Sequence, residues 1–242
     1  MTQLLISVKN VEEALHAMYA GTSIVDLKDP AVGSLGALPI DEAKKILAVL
    51  EGQVLTSATV GEGHVNIDAL LADIKQYADI GVDIIKIAVT ELFMNQQYFV
   101  ELQQLTVRGI KLVAVFFADK MMDLSLITKM QTAGFYGAMI DTQQKCQPIV
   151  ELQSMYELKK FTEMCKRHHL ISGLAGSVGL QHLTSLIILN PDFIGMRGGV
   201  CDEGNRTLCL SQKKVEAVNA MLLKYNTDIG FGSQSPATSL QI

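Results

Sequence analysis

The amino-acid sequence predicts an α/β fold, a single-domain (β/α)8 TIM barrel. Short apolar runs alternate with longer amphipathic segments, and eight of the short runs can be counted along the chain. Those runs are nearly continuous in Ile, Val, Leu and Ala, as in parallel strands that are covered on both faces. A chain of 242 residues also has the size typical of eight βα units. A doubly wound open sheet shares the alternation and is the main alternative.

The predicted elements alternate from the start of the chain. Strands are expected at residues 4–8, 23–29, 54–59, 84–89, 111–118, 136–141, 171–176 and 193–197. Helices are expected at residues 10–20, 41–50, 67–79, 95–105, 123–132, 149–167, 180–189 and 212–225. The barrel domain would therefore occupy residues 1–225, and residues 226–242, which carry several Gly and Ser, would form a flexible C-terminal tail.

Local signals mark where some helices begin and end. Asn10 and Glu13 have the spacing of a capping box, and Gly21 follows the expected end of the same helix. The segments YAGTSIVDLK, ADIGVDIIKI, QTAGFYGAMID and LNPDFIGMRG share one pattern, in which Gly or Asn-Pro-Asp precedes a buried strand. This weak internal similarity is typical of successive αβ turns in one array.

Composition argues against several classes of protein. A formal net charge of −5 gives no general attraction to nucleic acid or to an anionic membrane. No apolar run reaches the ~18 residues of a membrane span. The four cysteines (Cys146, Cys165, Cys201 and Cys209) have no CxxC spacing, so neither a disulfide framework nor a metal site is expected. With no secretory signal pattern either, a reduced, cytoplasmic protein is expected.

Charged residues at the ends of two predicted strands indicate a site, because barrel active sites lie at the carboxyl ends of the strands. Alternation places Asp26 and Lys28 on the inner face of the second strand and Lys86 on the inner face of the fourth. Burial and mutual repulsion would lower the pKa of each lysine, giving the free amine that Schiff-base or proton-transfer chemistry needs. A buried Lys–Asp pair with no catalytic role is the alternative.

The third and sixth predicted strands add further candidates. Asp141 would act as a general acid or base or would orient a lysine, and Lys145 would bind an anion, join the reaction or lie in solvent. Thr56, Ser57 and Thr59 would hydrogen-bond substrate hydroxyls, or would serve only as cap and loop residues.

The loops after the last two predicted strands favour a phosphate site. Many barrels bind phosphate there through backbone N–H groups, and glycine lets the backbone approach the anion closely. We therefore expect Gly176, Ser177, Arg197, Gly198 and Gly199 to bind a substrate phosphate.

Six motifs occur in order along the chain: DLKDPAVGSLGA (26–37), SATVG (57–61), IIKI (84–87), MIDT (139–142), GLAGS (173–177) and GMRGGVC (195–201). On these motifs the sequence resembles the (5-formylfuran-3-yl)methyl phosphate synthases, also called 4-(hydroxymethyl)-2-furancarboxaldehyde-phosphate synthases, of methanofuran biosynthesis. The resemblance extends from about residue 4 to residue 225. The first motif is the specific one, and the others also occur loosely in other barrels.

The resemblance implies a class I aldolase-like lyase that uses no metal and no cofactor. Such enzymes condense two molecules of glyceraldehyde 3-phosphate to a phosphorylated furan aldehyde, with loss of phosphate and water. Lys28 would form the Schiff base and Lys86 would accept a proton, while Asp26, Asp141 and Lys145 would orient groups or shuttle protons. The enamine would attack the aldehyde of the second triose, and phosphate loss, ring closure and dehydration would follow.

Other functions stay open at this stage. A different Schiff-base aldolase would act on another sugar phosphate, and a non-catalytic barrel would only bind a phosphorylated metabolite. An isomerase or epimerase would need a carboxylate or histidine base in place of two interior lysines. The expected partner is a small triose phosphate, with no nucleic acid and no membrane. The apolar segment at residues 180–189 would support a homo-oligomer or would pack on the sheet.

Overall fold

The computed structural model describes residues 1–232, with side chains described as far as residue 228. Eight parallel strands form a closed barrel in which each strand pairs with the next one along the chain and β8 pairs with β1. The strands are β1 (Gln3–Val8), β2 (Ile24–Leu27), β3 (Leu55–Thr59), β4 (Ile84–Ala88), β5 (Lys111–Phe117), β6 (Gly137–Asp141), β7 (Ile171–Leu174) and β8 (Phe193–Met196). The predicted (β/α)8 TIM barrel is confirmed, and the closed ring excludes the open doubly wound sheet.

Helices follow the strands around the outside of the barrel. They are α1 (Val11–Tyr19), α2 (Ile40–Leu50), α3 (Ile67–Asp79), α4 (Gln96–Val107), α5 (Leu126–Thr132), α6 (Ile149–Leu152), α7 (Met155–Arg167), α8 (Leu183–Ile187) and α9 (Gln212–Gly232). Short 3-10 turns lie at Glu91–Met94, Leu180–His182, Gly198–Val200 and Asp202–Gly204. Among the residues described, no helix is both long enough and apolar enough to cross a membrane.

Two predicted helices differ from the observed ones. The segment at 149–167 is divided because Ser154 caps α7, accepting from the Glu157 N–H while the Glu157 carboxylate accepts from Ser154. The segment at 180–189 holds only a 3-10 turn and the short helix α8, whose Leu183 and Leu186 are fully buried. That segment therefore packs on the barrel, which was one of its two expected roles.

The predicted boundary between barrel and tail is wrong. Helix α9 continues past residue 225 to Gly232, so the first seven residues assigned to a flexible tail (226–232) are helical. Asn226 exchanges two hydrogen bonds of 3.0 Å with the backbone of Thr2, which joins α9 to the amino end of β1. Residues 233–242, the rest of the predicted tail, lie outside the described residues.

The apolar core has two parts, one on each side of the sheet. The larger part fills the space between strands and helices. The smaller part lies inside the barrel and consists of Leu5, Ile24, Leu35, Ile84, Ala88, Val113, Val115, Phe117, Met139, Ala175 and Phe193. Such internal packing makes the barrel a solid core, so only its open end has room for a ligand.

Gly173, on the inner face of β7, allows the closest packing in this interior. A Cβ there would overlap the ring of Phe193 and would lie 2.8 Å from Cβ of Met139. We predict that Gly173→Ala lowers the free energy of unfolding by about 1–3 kcal/mol, the usual effect of overpacking, measured by urea denaturation. Gly63→Ala is the control, because no atom lies within 4 Å of its added Cβ. Equal stability of both variants would contradict this description of the interior.

Candidate active site

A cavity of about 380 Å³ lies at the carboxyl ends of the strands. Lys28, Lys86, Asp141 and Lys145 line it, together with the loops after β7 and β8. The loop between β2 and α2 lies at the same end of the barrel. Its Leu35 is fully buried and joins the cluster of apolar residues inside the barrel. The glycine-rich turns after β7 and β8 form one wall of the cavity.

Asp26 and Lys86 form a buried ion pair at the base of the cavity. Oδ1 of Asp26 lies 2.7 Å from Nζ of Lys86, and the two residues are 0% and 2% exposed. Ser7 and Ser57 donate to the same carboxylate at 2.8 and 2.7 Å. The strand register causes this arrangement, because Ser7, Asp26 and Ser57 are neighbours across β1, β2 and β3. Three donors therefore hold this carboxylate in one position.

Asp141, at the end of β6, binds two amines. Its Oδ2 lies 3.3 Å from Nζ of Lys28, and its Oδ1 lies 2.5 Å from Nζ of Lys145. The N–H of Thr142 also donates to Oδ1 at 2.7 Å. One carboxylate therefore holds together the lysine after β2 and the lysine in the loop after β6, although they are far apart in sequence.

Burial lowers the pKa of two cavity lysines, Lys86 and Lys145. Burial lowers the pKa of Lys86, with the Lys28 cation adding to the effect and Asp26 opposing it. Burial also lowers the pKa of Lys145 to about 8, against the attraction of Asp141. Burial alone would raise the pKa of Asp141, but the cations of Lys145 and Lys28 hold it well below its usual range. Asp141 is thus a fixed anion, and Lys145 titrates near neutral pH.

The predicted phosphate loops lie together at the cavity wall. Gly176 and Ser177 follow β7, Gly198 and Gly199 follow β8, and all four line the cavity. A Cβ on Gly176, whose φ is +110°, would lie 2.9 Å from the Thr142 nitrogen, so glycine is required there. Within the described residues the N–H groups of these four positions have no protein acceptor. They are therefore available to an anion, although phosphate binding stays a prediction.

Arg197 does not fit its predicted phosphate role. Its guanidinium donates to both carboxylate oxygens of Glu13 and to the carbonyls of Ser7, Arg206 and Leu208. These five hydrogen bonds leave no N–H of Arg197 for a phosphate. The residue instead fixes the loop after β8 to α1, and we correct its assignment to a structural role.

The expected capping box at the start of α1 is only half present for the same reason. The Asn10 side chain accepts from the N–H of Glu13, as predicted. The Glu13 carboxylate, however, accepts from the N–H of Lys9 at 2.9 Å and from Arg197, not from Asn10. Because the Glu13 carboxylate binds Arg197 and the N–H of Lys9, the second hydrogen bond of the capping box does not form.

The hydroxyl residues of β3 have structural partners. Ser57 binds Asp26, Thr56 donates to Asp83 at 2.8 Å, and Thr59 donates to the carbonyl of Gly36 at 3.0 Å. These partners favour the structural role over binding of substrate hydroxyls. Ser57 contributes to the site only through the carboxylate of Asp26.

Sequence analysis missed Glu62 and Arg206. Glu62 accepts from Ser34, from the N–H of Leu35 at 2.7 Å and from Gln143 at 2.8 Å, which joins the loops after β2, β3 and β6. Although burial acts to raise it, the pKa of Glu62 is lowered by these hydrogen bonds. Arg206 lines the cavity from the long segment after β8. No local pattern marks either residue, because only the fold brings these loops together.

Solved structures place the chain among (β/α)8 barrels. Phosphoribosyl anthranilate isomerase from Thermus thermophilus superposes with a TM-score of 0.65 at 13% identity, covering 93% of this chain and 100% of that one. 3-Hexulose-6-phosphate synthase from Salmonella typhimurium gives 0.66 at 14% identity, with coverage of 93% and 100%. At such low identity the likeness shows the fold alone.

The family is shown by closer relatives. The family model of 4-HFC-P synthase matches residues 4–219. The (5-formylfuran-3-yl)methyl phosphate synthase of Methanothermobacter thermautotrophicus is 33% identical over 224 residues, covering 84% of this chain and 91% of that protein. A Methylorubrum extorquens protein provisionally given the same name is 37% identical over 222 residues, covering 90% and 91%. The chain is a (β/α)8-barrel enzyme. It belongs to the 4-HFC-P synthase family.

The structural role of Arg197 can be tested by breaking its pair with Glu13. Each side chain is almost buried, so Arg197→Gln or Glu13→Gln leaves the other charge without its partner. We predict that either change lowers the free energy of unfolding by about 3–5 kcal/mol, and that the double variant loses much less than the sum. Chemical denaturation measures both quantities.

Lys159→Gln is the control for this pair, because Lys159 and Glu163 are more than half exposed and their pair contributes about 1 kcal/mol at most. A phosphate ligand would behave differently. Arg197→Gln would then raise KM for the substrate at unchanged stability, and Glu13→Gln would alter neither.

Proposed function

We propose that this chain condenses two molecules of glyceraldehyde 3-phosphate to (5-formylfuran-3-yl)methyl phosphate through a Schiff base on Lys28. The product comes from the name that its relatives carry. The observation that carries the chemistry is the enclosure of Lys28 and Lys86, 6% and 2% exposed, in one cavity with an aspartate beside each. The proposed reaction uses these side chains alone, without a metal or a cofactor. The furan would serve the synthesis of methanofuran or a related one-carbon carrier.

The first triose reacts at Lys28. Its aldehyde carbon condenses with Nζ, losing water, and the protonated imine then withdraws electrons from the adjacent C2. Lys86, whose pKa is lowered by burial, removes the proton from C2 and leaves an enamine. Asp26 stays bound to Ser7 and Ser57, so it keeps Lys86 in place before and after the proton transfer.

The carbon skeleton of the product determines which atoms join. The furan carries its phosphomethyl group and its aldehyde in a pattern that requires a bond between C2 of the imine triose and C3 of the second triose. Attack on the aldehyde of the second triose, as first expected, would instead place the new aldehyde on a carbon that needs oxidation. The bond to C3 needs no redox step, and it replaces that expectation.

The second triose therefore loses its phosphate first or as the bond forms. Removal of its C2 proton and departure of phosphate from C3 give 2-hydroxypropenal, and the enamine adds to the terminal carbon. Lys145, with its pKa near 8, is the base available for that proton. The C2 hydroxyl of the second triose then adds to the imine carbon and closes the ring. Loss of the C2 hydroxyl of the first triose as water forms one ring double bond. Loss of a ring proton with departure of the Lys28 amine forms the second double bond and gives the furan. The atoms balance with one phosphate and two waters released.

The free N–H groups of Gly176, Ser177, Gly198 and Gly199 would bind the phosphate that the product retains. Backbone donors suit this task because they are fixed before the substrate arrives and bring no charge that would repel the lysines. Holding this phosphate would keep C1 and C2 of the first triose beside Lys28 and Lys86.

Borohydride trapping tests the proposal. We predict that glyceraldehyde 3-phosphate followed by borohydride leaves a reduced triose adduct on Lys28, identified by peptide mass mapping. Lys28→Arg should abolish both the adduct and the ultraviolet absorbance of the furan aldehyde. Lys86→Met should keep the adduct and lower furan formation at least about 100-fold, because only proton removal is lost.

The alternatives give other results. An adduct on Lys86 or Lys145 alone would reverse the assigned roles. An adduct without a furan chromophore in the wild type would indicate another Schiff-base aldolase, and no adduct with tight phosphate-ester binding would indicate a non-catalytic barrel. Lys45→Arg, which changes an exposed lysine paired with Glu42, should match the wild type in every measurement.

The pH dependence of furan formation tests Lys145. Because its neutral amine acts as the base and its pKa is about 8, we predict that kcat rises with pH below 8 and levels off above it. Lys145→Met should lower kcat at least about 100-fold and remove that rise. A wild-type rate that falls between pH 7 and 9 would contradict the role, since it would require the ammonium form.

A further inference from the structure

Arg206 is a half-buried cation at the mouth of the cavity, in the segment from Asp202 to Cys209 that follows β8. Its backbone is held in place, because Arg197 donates to its carbonyl at 2.8 Å. Its Cβ also lies close to the glycine turn, 3.7 Å from where a Cβ on Gly198 would be. The side chain therefore starts beside the phosphate loops and extends across the opening.

Most N–H groups of the Arg206 guanidinium have no hydrogen-bond acceptor among the described residues. Nη2 donates to the carbonyl of Gly33, in the loop after β2, at 2.7 Å. Among the described residues this is the one acceptor of its side chain, although an arginine carries five N–H groups. Arg197, nine residues earlier, has all five in use. A fixed arginine with most donors free, facing a cavity, is suited to a bidentate anion such as a phosphate monoester.

Charge balance in the cavity also favours a second anion. Lys28, Lys86, Lys145 and Arg206 line the cavity together with Arg197, whose charge is paired with Glu13. Among the described residues, Asp141 is the one carboxylate in that lining, and Asp26 pairs with Lys86 beside it. Arg206 is near enough to Lys145 to contribute to the lowering of its pKa, and it is attracted by Asp141. The guanidinium is therefore on the side of the cavity where Lys145 would act, and not beside the Asp26–Lys86 pair.

We propose that Arg206 forms a second phosphate subsite, which binds the phosphate of the second triose and stabilises it as it leaves. This inference rests on the proposed function. In the elimination step the C2 proton goes to Lys145, a C2–C3 double bond forms, and the C3–O bond breaks with its electron pair going to the phosphate oxygen. The added negative charge on that oxygen is what the guanidinium would stabilise. The departing phosphate lies at the mouth, so it leaves without displacing the first triose.

The test separates the two trioses. In Arg206→Ala we expect the borohydride adduct of glyceraldehyde 3-phosphate on Lys28 to form within about twofold of the wild type, because the first triose does not need Arg206. Release of inorganic phosphate and formation of the furan should both fall at least about 100-fold, as for other charged groups that stabilise a developing anion. Arg206→Lys should recover part of the rate, and added guanidinium ion should partly restore Arg206→Ala.

Arg108→Gln is the matched control, because Arg108 is exposed at the end of α4 that faces away from the site. Its adduct yield and furan rate should equal those of the wild type. Thermal melting of every variant shows whether a loss of rate follows a loss of fold.

Three results would overturn the proposal. Unchanged phosphate release in Arg206→Ala would show that the residue does not act on the leaving group. Parallel loss of adduct and furan would mean that Arg206 acts on the first triose. Equal loss in the Ala and Lys variants, with no rescue by guanidinium, would mean that it only latches its loop to Gly33. Absence of any adduct in the wild type would refute the proposed function itself, and this inference with it.

Discussion

The site depends on the pairing of buried charges. Three amines crowd one small cavity, and an unpaired ammonium there would be unfavourable by several kcal/mol. Two aspartates make the arrangement stable: Asp26 holds Lys86, and Asp141 holds both Lys28 and Lys145. Both aspartates lie on strands of a closed barrel, so their carboxylates cannot move away when a ligand enters. Without them, repulsion would drive the lysine side chains apart or out to solvent.

The same pairing sets the reactivity of each amine. Burial lowers a lysine pKa and a neighbouring carboxylate raises it, so the balance between the two decides which form predominates. At Lys145 the balance leaves a pKa of about 8, whereas the carboxylate that faces it stays ionised. The lysines therefore differ in chemistry although they share one cavity. The barrel achieves this by burying the amines to different extents and by sharing Asp141 between two of them, whereas Asp26 binds Lys86 alone.

Most of the fold and the centre of the site could be predicted from the sequence. Strand alternation alone placed Asp26, Lys28 and Lys86 inside the barrel, because residue spacing along a strand decides which face a side chain takes. The sequence failed where partners come from distant loops. Arg197 was predicted to bind phosphate, but in the structure its guanidinium donates to Glu13, 184 positions away in the sequence. Arg206 had no local signal, since its place over the cavity depends on how one long segment folds back.

The segment that carries Arg206, from Asp202 to Cys209, forms a loop whose two ends lie side by side. Cys201 and Leu210 pair as a short antiparallel bridge, and the N–H of Asp202 donates to the carbonyl of Cys209 at 3.0 Å, so its two ends meet. A stretch closed at its base tolerates changes of length and composition without disturbing the strands. Grafting the equivalent stretch between relatives would thus exchange Arg206, the cation at the cavity mouth, while the lysines of the cavity stay unchanged. A change in the charge at the cavity mouth therefore needs no change in the barrel.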